Sequence, residues 1–398
     1  MTATVEIPRS QSRNPVVKVL LWFAAIGVFI TYLAIAILIR QSDFPVYRAG
    51  GIHVFDGQLY TFHVAGLPFT YPPFSALLFA PLAPLPLRLA QGIWMVISLI
   101  GLWLVVRLTM QRFASAKFAA NVQLQLLVFV LVAVSDPLRD GLALGQIDIL
   151  VALLVIADLA GALSRIPRGV LIGIAAAIKL TPLFLIAYLL VVRRWRDAAV
   201  AAGTFAVLTL GTFLVLPSAS MTYWIHGYFV NLAHWDLGKV SNQSINGLIV
   251  RLLGTPVGAS RLWLPAALIV AGVVLWTARR VVTTRPWVAE SMALATIVAI
   301  SPLSWIHHWV YVLPLVVAGI RLGLEPKFRV VLVATSALAI NLLIGSIWFV
   351  NHASRTSVLS LVVGSSDILL LLIVLGAMAW TLRAPQPRQV DLVEPALT

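Results

Sequence analysis

The chain has 398 residues, of which 61% are hydrophobic and 11% charged, with no cysteine and a formal net charge of +14. A mean hydropathy of +0.98 excludes a soluble globular protein, whose apolar share is typically ~45–50%, and the repeated apolar runs indicate an all-α polytopic membrane protein. The missing cysteines exclude disulfides and thiolate chemistry. The basic residues fall in short clusters between apolar runs, which is the pattern of membrane topology and not of a nucleic-acid surface.

The first span is expected at 16–39, with Arg9, Arg13 and Lys18 marking its inner end; no small-residue cleavage site follows, so it reads as a retained span. Residues 41–73 leave it as a polar, aromatic stretch headed by Asp43 and carrying His53, Asp56, Tyr60, His63 and Tyr71. The chain has only 14 acidic residues. A carboxylate at a low-dielectric edge is either a solvated helix end or a base suited to taking a proton from a sugar hydroxyl. Asp43 is the leading candidate for that base, with Tyr47 and Tyr71 as substrate contacts. A short apolar piece at 74–86 contains Pro81, Pro84 and Pro86, which argue against a normal span.

Spans near 88–107, 119–136 and 145–163 follow. The segment 136–148, DPLRDGLALGQID, offers Arg139 to a phosphate and Gln146 to a substrate, while Asp136, Asp140 and Asp148 read equally well as helix caps. The apolar stretch 169–192 has positive charge at both ends, so one straight crossing would put a basic cluster outside. Lys179-Leu180-Thr181-Pro182 sits at its middle, and proline disfavours helix at the residue before it. Two half-helices with a turn at Lys179 resolve the conflict. A cation at such a junction is either a snorkelling lysine or an anion receptor, above all for phosphate.

Spans near 197–217, 262–279, 286–302, 308–320, 329–349 and 360–382 bring the expectation to ten full spans plus the broken pair. This threading sets 19 of the 28 basic residues inside and eight outside, with Lys179 embedded, and puts both termini in the cytoplasm. The loop around 223–246 reads as a sugar-facing surface, in which Trp224 and His234 stack and Asn242, Gln243 and Asn246 bond hydroxyls; a plain interfacial loop is also Trp-rich. In SPLSWIHHWVY, 301–311, Trp305 is a further substrate contact. His307 and His308 face about 100° apart on a helix; they read either as interfacial residues of the aromatic belt beside Trp305 and Trp309 or as hydrogen-bonding or proton-handling groups. As a zinc site the pair lacks both the i, i+4 spacing and a nearby carboxylate, so no metal is expected. No P-loop, GxSxG, HExxH or dinucleotide fingerprint occurs, and no cofactor is expected.

Together SDFPVYRAGG, LPFTYPPFSALLFAPLAPLP, GQIDILVALLVIADL, the IKLTP element, SNQSINGLIVRL and ISPLSWIHHWVYVLP resemble the actinobacterial polyprenol-phosphate-dependent membrane glycosyltransferases of GT-C architecture. The likeness runs over roughly 16–382 and is strongest to the polyprenol-phosphate-mannose-dependent α-(1→2) mannosyltransferases of phosphatidylinositol mannoside synthesis. It implies an inverting transfer of mannose from a polyprenyl-phosphate carrier to a mannolipid at the extracytoplasmic face of the plasma membrane. It further implies Asp43 as the catalytic base, His307 as a catalytic group at the donor, and Lys179 where the carrier phosphate lies; His308 and Arg139 are further candidates for the donor phosphate. A single catalytic domain at 1–385 is expected, with a disordered cytoplasmic tail at 386–398. An arabinofuranosyltransferase of the same architecture and a lipid-linked sugar flippase are the alternatives.

Overall fold

The structure is a computed structural model that describes residues 15–39, 41–231, 235–254, 256–350 and 357–383. The expected disordered tail, 386–398, and the substrate candidate His234 lie outside the described residues. Among the described residues, helices carry the fold, and the only paired strands are the two-residue His63–Val64 and Leu67–Pro68. Six helical segments among the described residues are long and apolar enough to cross a membrane: Pro15–Leu38, Leu87–Phe113, Trp195–Val215, Arg261–Val281, Ile306–Gly323 and Pro326–Ile344.

That is fewer than the ten full spans expected. The remaining apolar stretches form shorter helices, among them Val122–Val134, Pro286–Ile300 and Ser366–Thr381. A 15-residue helix such as Pro286–Ile300 rises only ~22 Å against a hydrocarbon core of ~30 Å. Local chemistry ends these helices early. Gly161 takes a left-handed conformation after Asp148–Ala160, as glycine readily does at a helix end. Ser135 is extended ahead of Pro137, which separates Val122–Val134 from a distinct helix, Asp136–Leu144. That helix was not expected as a separate element.

The stretch 169–192 is broken where expected. Helix Val170–Ile178 ends at Lys179, whose backbone is extended at φ −148°, and the chain resumes through the turn Thr181–Leu183 into helix Phe184–Val191. Gly173 lets the first half pack on Trp195–Val215: a Cβ there would lie 2.6 Å from both the Ala201 carbonyl oxygen and Thr204 Cβ. The apolar piece at 74–86 forms a short helix, Pro73–Phe79, and a turn, Ala80–Leu82, in keeping with its prolines. The core sits around Pro286–Ile300, buried along nearly its whole length between Pro256–Val281 and Leu313–Gly323. This frame brings four elements to one cavity: the segment from Gln41 to Ile52, helix Asp136–Leu144, the break at Lys179, and the turn Ile306–Val312.

Candidate active site

A cavity of about 590 Å³ is lined by Asp43, Tyr47, Tyr71, Asp140, Gln146, Lys179, Trp305, His307 and His308, with further aromatic residues around them. Asp43 occupies the N-cap position of helix Phe44–Ile52 but makes no side-chain capping bond, so its carboxylate is not used up by the helix end. Its position is set from across the chain. The Asp43 amide donates to the Leu144 carbonyl at 3.2 Å, and the Trp94 indole donates to the Gly145 carbonyl at 2.8 Å. Gly145 is left-handed at φ 78°, and a Cβ there would lie 2.8 Å from Phe44 Cβ. Glycine is therefore required both by conformation and by the close approach.

This contact sets Gln146 beside Asp43. Gln146 Nε2 donates to Asp43 Oδ2, and Ser42 Oγ donates to Oδ1 at 2.5 Å. Gln146 Oε1 in turn accepts from Tyr47 Oη at 2.5 Å, which lies 2.9 Å from Tyr71 Oη. Burial pushes both tyrosine hydroxyls well above their ordinary range, and neighbouring acidic groups push the same way. Both therefore remain protonated, and a tyrosine donor fixes the glutamine amide with its NH2 toward the carboxylate.

The second group of functional side chains is buried. Lys179 Nζ donates to Asp148 Oδ1 at 2.7 Å and lies 5.5 Å from the centre of the Tyr71 ring. His307 Nδ1 pairs with Asp140 Oδ2 at 2.9 Å, and Gly141 leaves room for this approach, since a Cβ there would come within 3.4 Å of His307 Cβ. His308 Nε2 is 3.9 Å from Asp148 Oδ2. Both imidazoles line the cavity. The expectation that no carboxylate lies near them is corrected, because Asp140 and Asp148 arrive from distant sequence.

Several sequence candidates are not placed on the cavity. Asn242 is wholly buried and bonds the backbone: its Oδ1 accepts from the Ser304 amide at 3.0 Å and its Nδ2 donates to Leu237. Gln243 donates to the carbonyls of Val240 and Gly364 and accepts from the Ile368 amide. Asn246 donates to the Pro302 carbonyl at 2.9 Å. The Asn242 and Asn246 side chains brace the 301–305 segment, that of Gln243 ties Val240 to the 364–368 segment, and none of the three lines this cavity. Trp224 packs edge-on against Tyr223 and Phe205. Arg139 pairs with Asp136 at 2.7 Å, its side chain half exposed. In the first loop, His53 and Asp56 form an exposed pair at 2.6 Å, which holds the Asp56 carboxyl below its usual range, and Tyr60 donates to the Tyr71 carbonyl; these stabilise the loop from outside the cavity.

Two residues were not singled out for chemistry. Asp140 and Asp148 were weighed only as helix caps, yet they hold His307 and Lys179. The signal was available for Asp148, since a lysine in an apolar run requires a counter-charge and few carboxylates exist to supply one. Lys239 and Trp348 also reach the cavity wall.

The profile of glycosyltransferase family 87 matches residues 69–304. The polyprenol-phosphate-mannose-dependent α-(1-2)-phosphatidylinositol mannoside mannosyltransferase of Mycobacterium tuberculosis is 32% identical over 330 residues, 76% of each chain. The protein of the same name from Mycolicibacterium smegmatis is 33% identical over 308 residues, 70% of this chain and 69% of its own. Aligned by structure, apo ArnT from Cupriavidus metallidurans covers 92% of this chain and 75% of its own at 16% identity, with a TM-score of 0.43. By the extent of the family match and the identity of these relatives, the chain belongs to glycosyltransferase family 87.

Proposed function

We propose that the chain transfers mannose from polyprenyl-phosphate-mannose to a phosphatidylinositol mannoside acceptor in α-(1→2) linkage, with inversion. The observation that carries this reading is the likeness to relatives of that name over about three quarters of the chain, joined to a cavity in which Asp43, Lys179 and the paired histidines meet. Asp43 takes the proton from the acceptor's 2-hydroxyl as that oxygen attacks the anomeric carbon from the face opposite the phosphate. One base and no covalent intermediate give inversion, by analogy with inverting hydrolysis. The leaving phosphate is already an anion, so Lys179, His307 and His308 stabilise charge and no acid is obligatory. Tyr47, Tyr71, Gln146 and Trp305 line the space for the two sugars. The same reading makes residues 1–385 one catalytic domain of GT-C architecture, in which shorter apolar helices join the six long ones to make about ten crossings. Its cavity is at the extracytoplasmic face and both termini are cytoplasmic, as the distribution of basic clusters favours.

The test is purified protein in lipid nanodiscs given radiolabelled polyprenyl-phosphate-mannose and phosphatidylinositol mannoside. The expected product is a mannolipid one residue longer whose new bond is cleaved by an α-(1→2)-specific mannosidase. Movement of the labelled carrier across vesicles without a glycosidic product would overturn the reading in favour of a flippase, and transfer only from the arabinose-loaded carrier would overturn the sugar assignment.

A further inference from the structure

Lysine lines the cavity at two places, Lys179 and Lys239, and the protein treats the two ammonium groups differently. Lys179 is buried and hydrogen-bonded to Asp148 Oδ1 at 2.7 Å, and the acidic charges acting on it are those of Asp148 and Asp43. Lys239 is exposed, which sets it at the rim. Its ammonium stands 5.8 Å from the centre of the Trp305 ring, and among the described residues no carboxylate is paired with it. A ring face attracts an ammonium through its quadrupole and uses up none of the three N–H donors as a carboxylate would. The backbone beneath is held firmly. The Lys239 amide donates to the Asp236 carbonyl at 3.1 Å, and its own carbonyl accepts from the Asn242 amide at 2.9 Å and from Arg251 Nη1 at 3.1 Å. Asn242 in turn bridges to Trp305, which Trp235 meets edge-on at 5.7 Å. The root of the side chain and the ring beside its tip are therefore both fixed, while the charge itself is left open.

An ammonium without a counter-charge at a cavity rim suits an anion, and both lipids of the transfer proposed above are anionic. The donor carries its phosphate on the anomeric carbon, so that phosphate belongs at the reacting centre, with Lys179 and Asp43. The acceptor presents a hydroxyl to Asp43, and its own phosphodiester lies on the lipid side of the inositol, remote from that hydroxyl. It therefore belongs away from the reacting centre, toward the rim. We propose that Lys239, steadied on Trp305, binds the phosphodiester of the acceptor glycolipid and so selects acceptors with an anionic headgroup. Each phosphate then has its own lysine, and the two like charges stay apart. The anion site stands on the lysine, its ring and its missing counter-charge; the assignment to the acceptor rests on the transferase reading.

The experiment uses the full chain in phosphatidylcholine nanodiscs with two acceptors: phosphatidylinositol mannoside, and a synthetic alkyl glycoside of the same mannosyl-inositol head without phosphate. Lys239→Gln should raise KM for the phosphate-bearing acceptor ~10-fold, the loss of one hydrogen bond to a charged group. The KM of the neutral acceptor, the KM of the donor and kcat should not follow. Lys239→Arg keeps the charge and should restore most of the affinity. In the unaltered protein, added salt should weaken the phosphate-bearing acceptor and not the neutral one, since a charge pair at the rim is screened; this arm depends on no variant. Equal KM values for the two acceptors in the unaltered protein at low salt would overturn the proposal. So would Lys239→Gln weakening both acceptors alike, or raising only the donor KM, which would give Lys239 to the carrier phosphate. Acceptor binding measured without donor separates this site from the transferase reading. A preference for the phosphate-bearing acceptor that vanishes in Lys239→Gln, in a protein that transfers no sugar, would contradict the transferase reading and leave the lysine site intact. Transfer by Lys239→Gln at the parent's acceptor KM would do the reverse.

Discussion

Two polar motifs of this oily chain looked alike in sequence and differ in what the structure does with them. SNQSIN, 241–246, and the histidines of SPLSWIHHW, 301–309, each place hydrogen-bonding side chains between apolar segments. In the first, Asn242 and Gln243 are buried and bonded to backbone atoms of other segments. In the second, His307 and His308 are also buried but keep ring atoms toward a cavity. The two motifs touch, because Asn242 pairs with Trp305 across an isolated bridge and the Gln243 amide donates to the Ser304 carbonyl at 2.8 Å. One motif is the clamp that holds the other in place. Polarity in a membrane protein therefore marks function only when the backbone has not already claimed it.

Substitutions should separate clamp from site. The largest effect is expected at Lys179→Ala, which removes one partner of a buried ion pair and should cost ~3–5 kcal/mol, read as a lowered thermal midpoint together with weaker donor binding. In the double variant Lys179→Met with Asp148→Leu, stability should recover and donor affinity should not; recovery of both would remove Lys179 from the phosphate site. Next, Asn242→Ala leaves the Ser304 amide without its acceptor and should lower stability by ~1–3 kcal/mol. The Michaelis constants of the surviving folded fraction should stay near those of the parent, and a selective rise in KM would restore Asn242 as a sugar contact. Gln146→Ala removes a hydrogen bond to a charged group, worth ~1.5–3 kcal/mol, and should lower kcat ~10-fold or more with KM little changed. Arg139→Lys keeps the positive charge beside the buried Asp136 carboxylate, with the Arg139 side chain itself half exposed, and donor binding measured by titration should be nearly unchanged; a tenfold loss would return Arg139 to the phosphate.

The fold was legible where one physical requirement dominated. Apolar runs marked the membrane helices, and the basic clusters flanking 169–192 together with Pro182 required a break at Lys179, where the structure has one. Helix ends set by glycine and proline were less legible, so runs read as full spans became shorter helices such as Pro286–Ile300. At the site, Asp43, Lys179, His307 and His308 were identified and converge on one cavity. Their partners were not identified, because Asp140 reaches His307 across 167 positions and Gln146 reaches Asp43 across 103. Pairing over such separations is set by helix packing, which no local spacing encodes. For the same reason SNQSIN read as a sugar surface: its side chains were visible, and the distant backbone atoms that satisfy them were not.

The most direct measurement is the single-turnover rate of mannosyl transfer by Asp43→Asn, taken beside donor binding and thermal stability of the same preparation. The amide keeps the shape of the carboxylate and cannot accept the proton, so transfer should fall ~10²–10⁴-fold while binding and stability hold. A rate equal to that of the unaltered protein would contradict Asp43 as the base, and with it the account of this cavity as the place where the sugar moves.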